Sequence, residues 1–408
     1  MATPAQRTNT WETDSWYDQA VAGTQGDYQG EKQLWVWGAA NDGRLGLNNQ
    51  TNISSPTQLP AGSGNWTSIV ANYSSGPGTN QNENGNISMF AIKDSTELWG
   101  WGRNELGELG INNRTNYSSP KQVPGSWDKA YTIKQGGAGI KTDGTSWIWG
   151  YNVVGQLGQN EKESTRFAYS SPVQVPGAWS DMQGYSNVCL ALKTDGSLWG
   201  WGNNPTGALG QNNTTTYSSP VQIPGTDWSH FPKGAGGWNR VYKTDGSLWG
   251  WGSTSYGGLG QNSSPQGGTE SFSSPIQIVG SWSNVTGFTA ALMPKTNGEL
   301  WVVGQNTMGQ LGLNTTVRYS SPVQLGTDTN WTNNVFSNDV MSGGIKTDGT
   351  FWMWGFGDNG SFGLNYRETI GPGIDYVSSP VQLPGTWTGV LGNSIAQGNN
   401  VTYYLKNL

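Results

Sequence analysis

One signature of four parts returns seven times along this chain, and nothing else in the sequence restricts the fold as strongly. A Trp followed by x-[Trp/Val]-Gly stands at Trp35, Trp99, Trp147, Trp199, Trp249, Trp301 and Trp352. Gly-x-x-Gly follows each, then Ser-Ser-Pro ending at Pro56, Pro120, Pro172, Pro220, Pro275, Pro322 and Pro380. A single Trp closes every unit, at Trp66, Trp127, Trp179, Trp228, Trp282, Trp331 and Trp387. Self-similarity at a period of roughly 20 to 50 residues marks an array in which each unit buries its apolar face against the next. The chain of 408 residues is therefore one array, not the two or three domains that about 150 residues per domain would imply.

Within a unit the pattern reads as short strands joined by tight turns. Between Val188 and Gly202, two apolar stretches flank Asp195-Gly196, which predicts a two-residue type I′ hairpin with both residues at positive φ. The same pair stands at Asp143-Gly144, Asp245-Gly246 and Asp348-Gly349, with Asn297-Gly298 as a variant, whereas the second unit has Asp94-Ser95-Thr96. Alternation places Trp199 and Trp201 on one face, and Leu198 and Gly200 on the other. Pro has no N–H to give to a ladder, so Ser-Ser-Pro belongs at a strand start or a sheet edge. No apolar periodicity of helical length intervenes. Four short strands in about fifty residues make one propeller blade, and the expected fold is all-β, a closed seven-bladed β-propeller of four-stranded blades.

The chain ends locate the seam. The first unit starts at Leu34-Trp35 without its preceding strand, and Val401 to Lys406 resembles the Leu190 to Lys193 strand and stops where the turn belongs. Residues 401–406 are therefore expected to pair antiparallel with residues 33–38. That gives an N-terminal extended arm at 1–30 and a propeller at 31–408. In the arm, Trp11, Trp16 and Tyr17 stand among polar residues, and such aromatic anchors are candidates for docking a partner. Longer insertions break the repeat at 72–89, 261–272 and 366–377, where specificity is expected to sit.

Few residues are left to carry catalysis. The single His, His230, lies outside the repeat, and Cys189 has no imidazole to activate it, so neither a triad nor a transition-metal site is expected. Glu105 with Glu108, and Glu161 with Glu163, are read as solvated loop charges rather than a glycosidase pair. The repeated Asp residues are turn residues, and the paired tryptophans suit packing between blades better than stacking on sugars. No catalytic residue, cofactor or metal is expected. A net charge of −6 without any Lys/Arg cluster argues against nucleic acid. The start of the chain lacks the apolar core of a secretory signal, and no stretch approaches a membrane span. Asn-x-Ser/Thr triplets, as at Asn113, Asn213 and Asn314, are taken as products of an Asn/Thr-rich composition, with no sugar expected on them.

The run Lys-Thr-Asp-Gly-Ser-Leu-Trp-Gly-Trp-Gly-x-Asn, followed by Gly-x-Leu-Gly, resembles the repeat of the regulator of chromosome condensation family across residues 31–408. The resemblance implies a seven-bladed propeller. Its eukaryotic members best known as nucleotide-exchange factors often carry His at positions held here by Ser88, Gly136, Val188, Trp238, Ala290, Met341 and Val401, so exchange is not expected. The spelling Tyr-Ser-Ser-Pro-Val-Gln-x-Pro-Gly resembles repeat proteins of bacteriophages and environmental bacteria. From that resemblance the expected function is a non-enzymatic interaction propeller in a virion, in tail, fibre or head decoration, binding other virion subunits. The alternative is a cytoplasmic scaffold or regulator that binds a partner protein; recognition or cleavage of a cell-surface glycan is a third reading.

Overall fold

Seven antiparallel sheets succeed one another along the chain, one for each repeat. The computed structural model describes residues 33–38, 40–59, 65–71, 88–161, 168–185, 187–232, 239–262, 271–287, 290–337, 340–356, 376–385, 387, 395–398 and 401–406. Blade 2 is typical, with strands Trp66–Ala71, Ser88–Lys93, Glu97–Gly102 and Tyr117–Val123 hydrogen-bonded in that order. Blade 3 runs from Trp127 to Val175, blade 4 from Trp179 to Gln222, blade 5 from Trp228 to Ile278 and blade 7 from Trp331 to Leu383. Blade 6 has three described strands, Ala290–Pro294, Leu300–Gly304 and Tyr319–Gln324; its first strand is reduced to a bridge between Thr286 and Leu292.

Blade 1 is assembled from both ends of the chain. Val401–Lys406 pairs antiparallel with Gln33–Gly38 in unbroken register from Gln33 opposite Lys406 to Gly38 opposite Val401, and Ile395–Gly398 and Ile53–Gln58 flank the pair. The expected seam is present at the expected residues. The arm with Trp11, Trp16 and Tyr17 lies outside the described residues, as do most of the three insertions.

The core lies between blades rather than within them. Each apolar cluster draws on two neighbours, as where Leu190, Leu192, Leu198, Leu209 and Ile223 of blade 4 meet Trp228, Val241 and Trp251 of blade 5. The other clusters join blades 1 and 2, 2 and 3, 3 and 4, 5 and 6, 6 and 7, and 7 and 1. First strands of adjacent blades lie against one another, which puts them nearest the axis; the Lys129 Nζ of blade 3 donates to the Ser180 carbonyl of blade 4 at 2.8 Å. The fourth strand is the outer edge, and Ser-Ser-Pro sits there, on a strand whose free side requires no N–H.

The hairpins differ from the type I′ expectation. Gly144 N–H donates to the Lys141 carbonyl, Lys141 N–H to the Thr145 carbonyl, and Gly144 alone of the Asp-Gly pair has positive φ, at 81°. The turn thus has three residues, Thr142, Asp143 and Gly144, and only the glycine adopts the left-handed conformation. Two consecutive positive φ angles do occur, at Asp94 (49°) and Ser95 (67°), in the second unit, whose turn has no glycine.

Strand alternation gives the ring two unlike faces. Connections between second and third strands, and between one blade and the next, lie on what is here termed the hairpin face. Connections from first to second and from third to fourth strands lie on the loop face. The insertions at 72–89, 261–272 and 366–377 all join strands that end at the loop face, whereas Gln33 and Lys406 meet at the hairpin face.

Candidate functional site

The repeated residues are consumed by the joints between blades. In Gly107-Glu108-Leu109-Gly110 of blade 2, Gly107 has φ +79° and lies so near Ser170 of blade 3 that a Cβ would fall 2.5 Å from the Ser170 Cα. Two turns of chain later Asn112, also left-handed at φ 59°, donates its N–H to the Ser170 carbonyl at 2.7 Å and accepts from the Ser171 hydroxyl at 3.0 Å. Asn48, Asn160, Asn212, Asn262 and Asn314 make the same backbone contact to Ser118, Ser218, Ser273, Ser320 and Ser378. Ser-Ser-Pro is therefore the receiving half of a joint, a role its spelling alone did not reveal.

The second Trp of each pair completes that joint. Trp201 is fully buried, and its indole N–H donates to the Gln156 carbonyl of the preceding blade at 3.0 Å. Trp101, Trp149, Trp251 and Trp354 do likewise to Arg44, Glu108, Ala208 and Gln310. The closing Trp packs beneath, with Trp179 and Trp201 centroids 5.8 Å apart. Packing, not sugar stacking, is what this indole does. A buried Asn fixes the loop: Asn104, Asn152, Asn204 and Asn306 accept from the N–H five residues on, that of Leu109, Leu157, Leu209 or Leu311.

At the hairpin face the first Trp is half-buried and stacks with a lysine. Lys193 Nζ lies 3.9 Å from the Trp199 ring centroid and 5.2 Å from that of Trp179; Lys141, Lys243, Lys295 and Lys346 repeat the arrangement. Asp143, Asp195, Asp245 and Asp348 each accept from the hydroxyl and N–H two residues on, and these hydrogen bonds hold their carboxyls below the usual range. In each, one oxygen, Oδ1, takes both of these hydrogen bonds. Among the described residues no group of His, Cys, Asp and Glu has the spacing of a metal site.

One reading of a polar residue needs correction. Glu108 is not a solvated loop charge: it is fully buried, burial raises its pKa, its carboxylate accepts from the Leu106 N–H at 2.7 Å, and Arg103 stands 3.9 Å away. Glu105 pairs with Arg103 at 2.6 Å on the exposed side, so the two carboxylates face different surroundings. Glu161 accepts from the Tyr169 hydroxyl, and Glu163 lies outside the described residues. The Asn113 and Asn213 side chains accept from the N–H of Thr115 and Thr215, an Asx turn that Asn49 repeats with Thr51 in the first unit.

His230 ends the first strand of blade 5, exposed, stacked on Tyr242 at 4.8 Å and 3.0 Å from the Ser229 hydroxyl. Cys189 is buried, and burial pushes its thiol far up. Of three large apolar side chains exposed among the described residues, Met308 and Val317 lie on the loop-face connection of blade 6 and Val279 on the hairpin-face connection from blade 5 to blade 6. No helix among the described residues is long and apolar enough to cross a membrane.

One joint breaks the rule, and the sequence reading passed over it. Between blades 5 and 6 the indole position holds Val303, and Arg240 occupies a column filled elsewhere by Phe90, Ala138, Leu190, Leu292, Gly343 and Tyr403. Aligning the seven units by their Lys exposes a cation in an apolar column, and that was the available signal.

The signature of the regulator of chromosome condensation (RCC1) repeat matches residues 31–76, 97–139, 195–239 and 297–336. The Ultraviolet-B receptor UVR8 of Arabidopsis thaliana is 26% identical over 223 residues, which are 52% of this chain and 46% of the receptor, so the match spans about half of that relative's length. Prp20p of Saccharomyces cerevisiae superposes with a TM-score of 0.73 at 16% identity, covering 94% of each chain. Human WBSCR16 superposes with a TM-score of 0.75 at 17% identity, covering 93% of this chain and 99% of that one. Blade count and ring closure make this chain a seven-bladed β-propeller, and the regulator of chromosome condensation repeat signature is matched over four stretches of it.

Proposed function

We propose that the protein is a cytoplasmic scaffold or regulator that binds a partner protein through the loop face of its ring. One observation carries this reading: the repeated residues are engaged in joints and turns, and the three insertions that distinguish one blade from another all belong to connections on that face. Exposed Met308 and Val317 lie on the same face and offer apolar contact area. The comparisons support the kind of role. Prp20p is described by its binding to Gsp1p and histones, and the plant relative is a receptor.

The virion reading rests on the Tyr-Ser-Ser-Pro spelling. That spelling is accounted for by the joints, and the relatives matched are plant, yeast and human proteins, which favours the regulator. The aromatic residues Trp11, Trp16 and Tyr17 of the arm at 1–30 are a second candidate contact for a partner.

Affinity capture with the full chain tests the proposal. A stoichiometric partner should be retained by the wild type and by Lys193→Ala, and lost when residues 73–86 or 263–270 are replaced by short Gly-Ser links. Equal recovery by the shortened variants rejects the loop face as the contact surface, and recovery only with assembled phage particles restores the virion reading.

A further inference from the structure

Among the described turns between second and third strands, that of blade 6 alone carries a carboxamide. Asn297 is the only described Asn followed by Gly, and it is exposed; Asn84-Gly85 and Asn359-Gly360 lie outside the described residues. It stands where other blades have Asp143, Asp195, Asp245 and Asp348. Each of those Asp residues is pinned twice through Oδ1, by an N–H at 2.9 to 3.0 Å and by a Ser or Thr hydroxyl at 2.5 to 2.7 Å. Asn297 accepts from the Glu299 N–H at 3.2 Å, and Glu299 has no hydroxyl to offer. The Glu299 carboxylate is engaged elsewhere, by the Trp301 indole N–H at 2.9 Å and by Lys295 Nζ at 3.1 Å.

A carboxamide differs from a carboxylate in reactivity as well as in charge. An ionised carboxylate resists attack by a main-chain nitrogen, whereas a carboxamide accepts it. Gly298 has φ +82°, and a Cβ there would collide with the Thr329 carbonyl. The residue after Asn297 is therefore held to Gly, which leaves the Asn amide without a side chain to shield it. The Gly298 N–H donates to the Lys295 carbonyl at 3.0 Å, and the Gly298 carbonyl accepts from the N–H of Trp331, the first residue of blade 7, at 3.1 Å. The first of these bonds has to open before the nitrogen reacts, so the hold on the turn sets the rate. The second ties the turn to the next blade.

We propose that Asn297 is a site of spontaneous deamidation whose product loosens the tie between blades 6 and 7. The Gly298 nitrogen attacks Cγ of Asn297. The N–Cγ bond forms, the Cγ–Nδ2 bond breaks, and the proton of the attacking nitrogen passes through water to the leaving nitrogen, which departs as ammonia. Water then opens the five-membered imide, and no group is oxidised or reduced. Cleavage of the new N–Cγ bond gives Asp, the residue of the other turns. Cleavage of the bond between that nitrogen and the main-chain carbonyl carbon of Asn297 gives isoaspartate, which routes the main chain through Cβ. The turn of three residues is then longer by one methylene. With the Thr329 carbonyl against it, Gly298 cannot take up that length and keep its bond to Trp331.

Ageing the full chain in mildly alkaline heavy-oxygen water, followed by peptide mapping in a mass spectrometer, provides the test. Asn297 should lose its amide nitrogen and gain a heavy oxygen at least tenfold faster than Asn113 and Asn314, which precede Arg and Thr. Glu299→Ser, the residue of blades 4 and 5, restores the missing hydroxyl and should slow the conversion at least threefold in the folded chain. Glu299→Thr, the residue of blades 3 and 7, should do the same. In urea, wild type and both variants should convert at one rate. Hydrogen exchange at the Trp331 amide should rise with the isoaspartate fraction. An Asn297 that persists as long as Asn113 overturns the site. Equal rates for the folded wild type and both variants overturn the control by the turn, and Trp331 exchange indifferent to conversion overturns the loosened tie.

Discussion

Trp199 and Trp201 are two residues apart on one strand face, yet they have different duties. Trp201 fills the joint with blade 3 and caps the Gln156 carbonyl, so Trp201→Ala leaves both a cavity and an orphaned acceptor. We expect a loss of about 3 to 5 kcal/mol in urea unfolding, against about 1 to 2 kcal/mol for the half-buried Trp199→Ala, which loses its stacking with Lys193. Glu108 offers a test with a sign. Its pKa is raised by burial, so between the ordinary carboxylate value and the raised one the folded state holds more protons than the unfolded state. Stability then falls as pH rises through that interval. Gln156 and Gln310 occupy the same place in other joints and accept the same N–H. Glu108→Gln should therefore preserve the fold, and its melting temperature should gain on the wild type as pH rises above the ordinary carboxylate range. A constant difference over that rise would falsify the buried-charge account.

At the scale of the turn and the joint, two glycines with nearly the same backbone separate strain from collision. Gly144 has φ +81° with open space around it, and Gly107 has φ +79° with the Ser170 backbone in the way. Gly144→Ala should cost only the left-handed penalty of about 1 to 2 kcal/mol, and Gly107→Ala should cost clearly more and loosen the contact between blades 2 and 3. Chemical denaturation of the two variants side by side measures the difference. The strands, the edge position of Pro and the packing role of Trp201 were legible in the sequence because alternation and the missing N–H act within one unit. The Ser-Ser-Pro joint was not, since its partner Asn lies about sixty residues away and nothing in one copy links them. The hairpin type was misread because Asp-Gly fits both a two-residue and a three-residue turn, and only the ladder register decides between them. Glu108 was misread as solvated because its burial comes from the neighbouring blade.

For the whole molecule, cohesion is distributed. Every apolar cluster spans two blades, so opening one boundary exposes two blades at once, and the seam in blade 1 guards all of them. Removing residues 400–408 strips one strand from that blade, and the melting temperature should drop sharply, with an unchanged value refuting the role of the seam. The meeting of Gln33 and Lys406 at one hairpin position has a further consequence. The ring does not register where its polypeptide is cut. A chain in which Lys406 is joined to Gln33 through Thr-Asp-Gly, with new ends placed between Asp195 and Gly196, keeps every ladder and joint. Blade order is thus a cyclic property, and the start of translation is one of seven interchangeable origins.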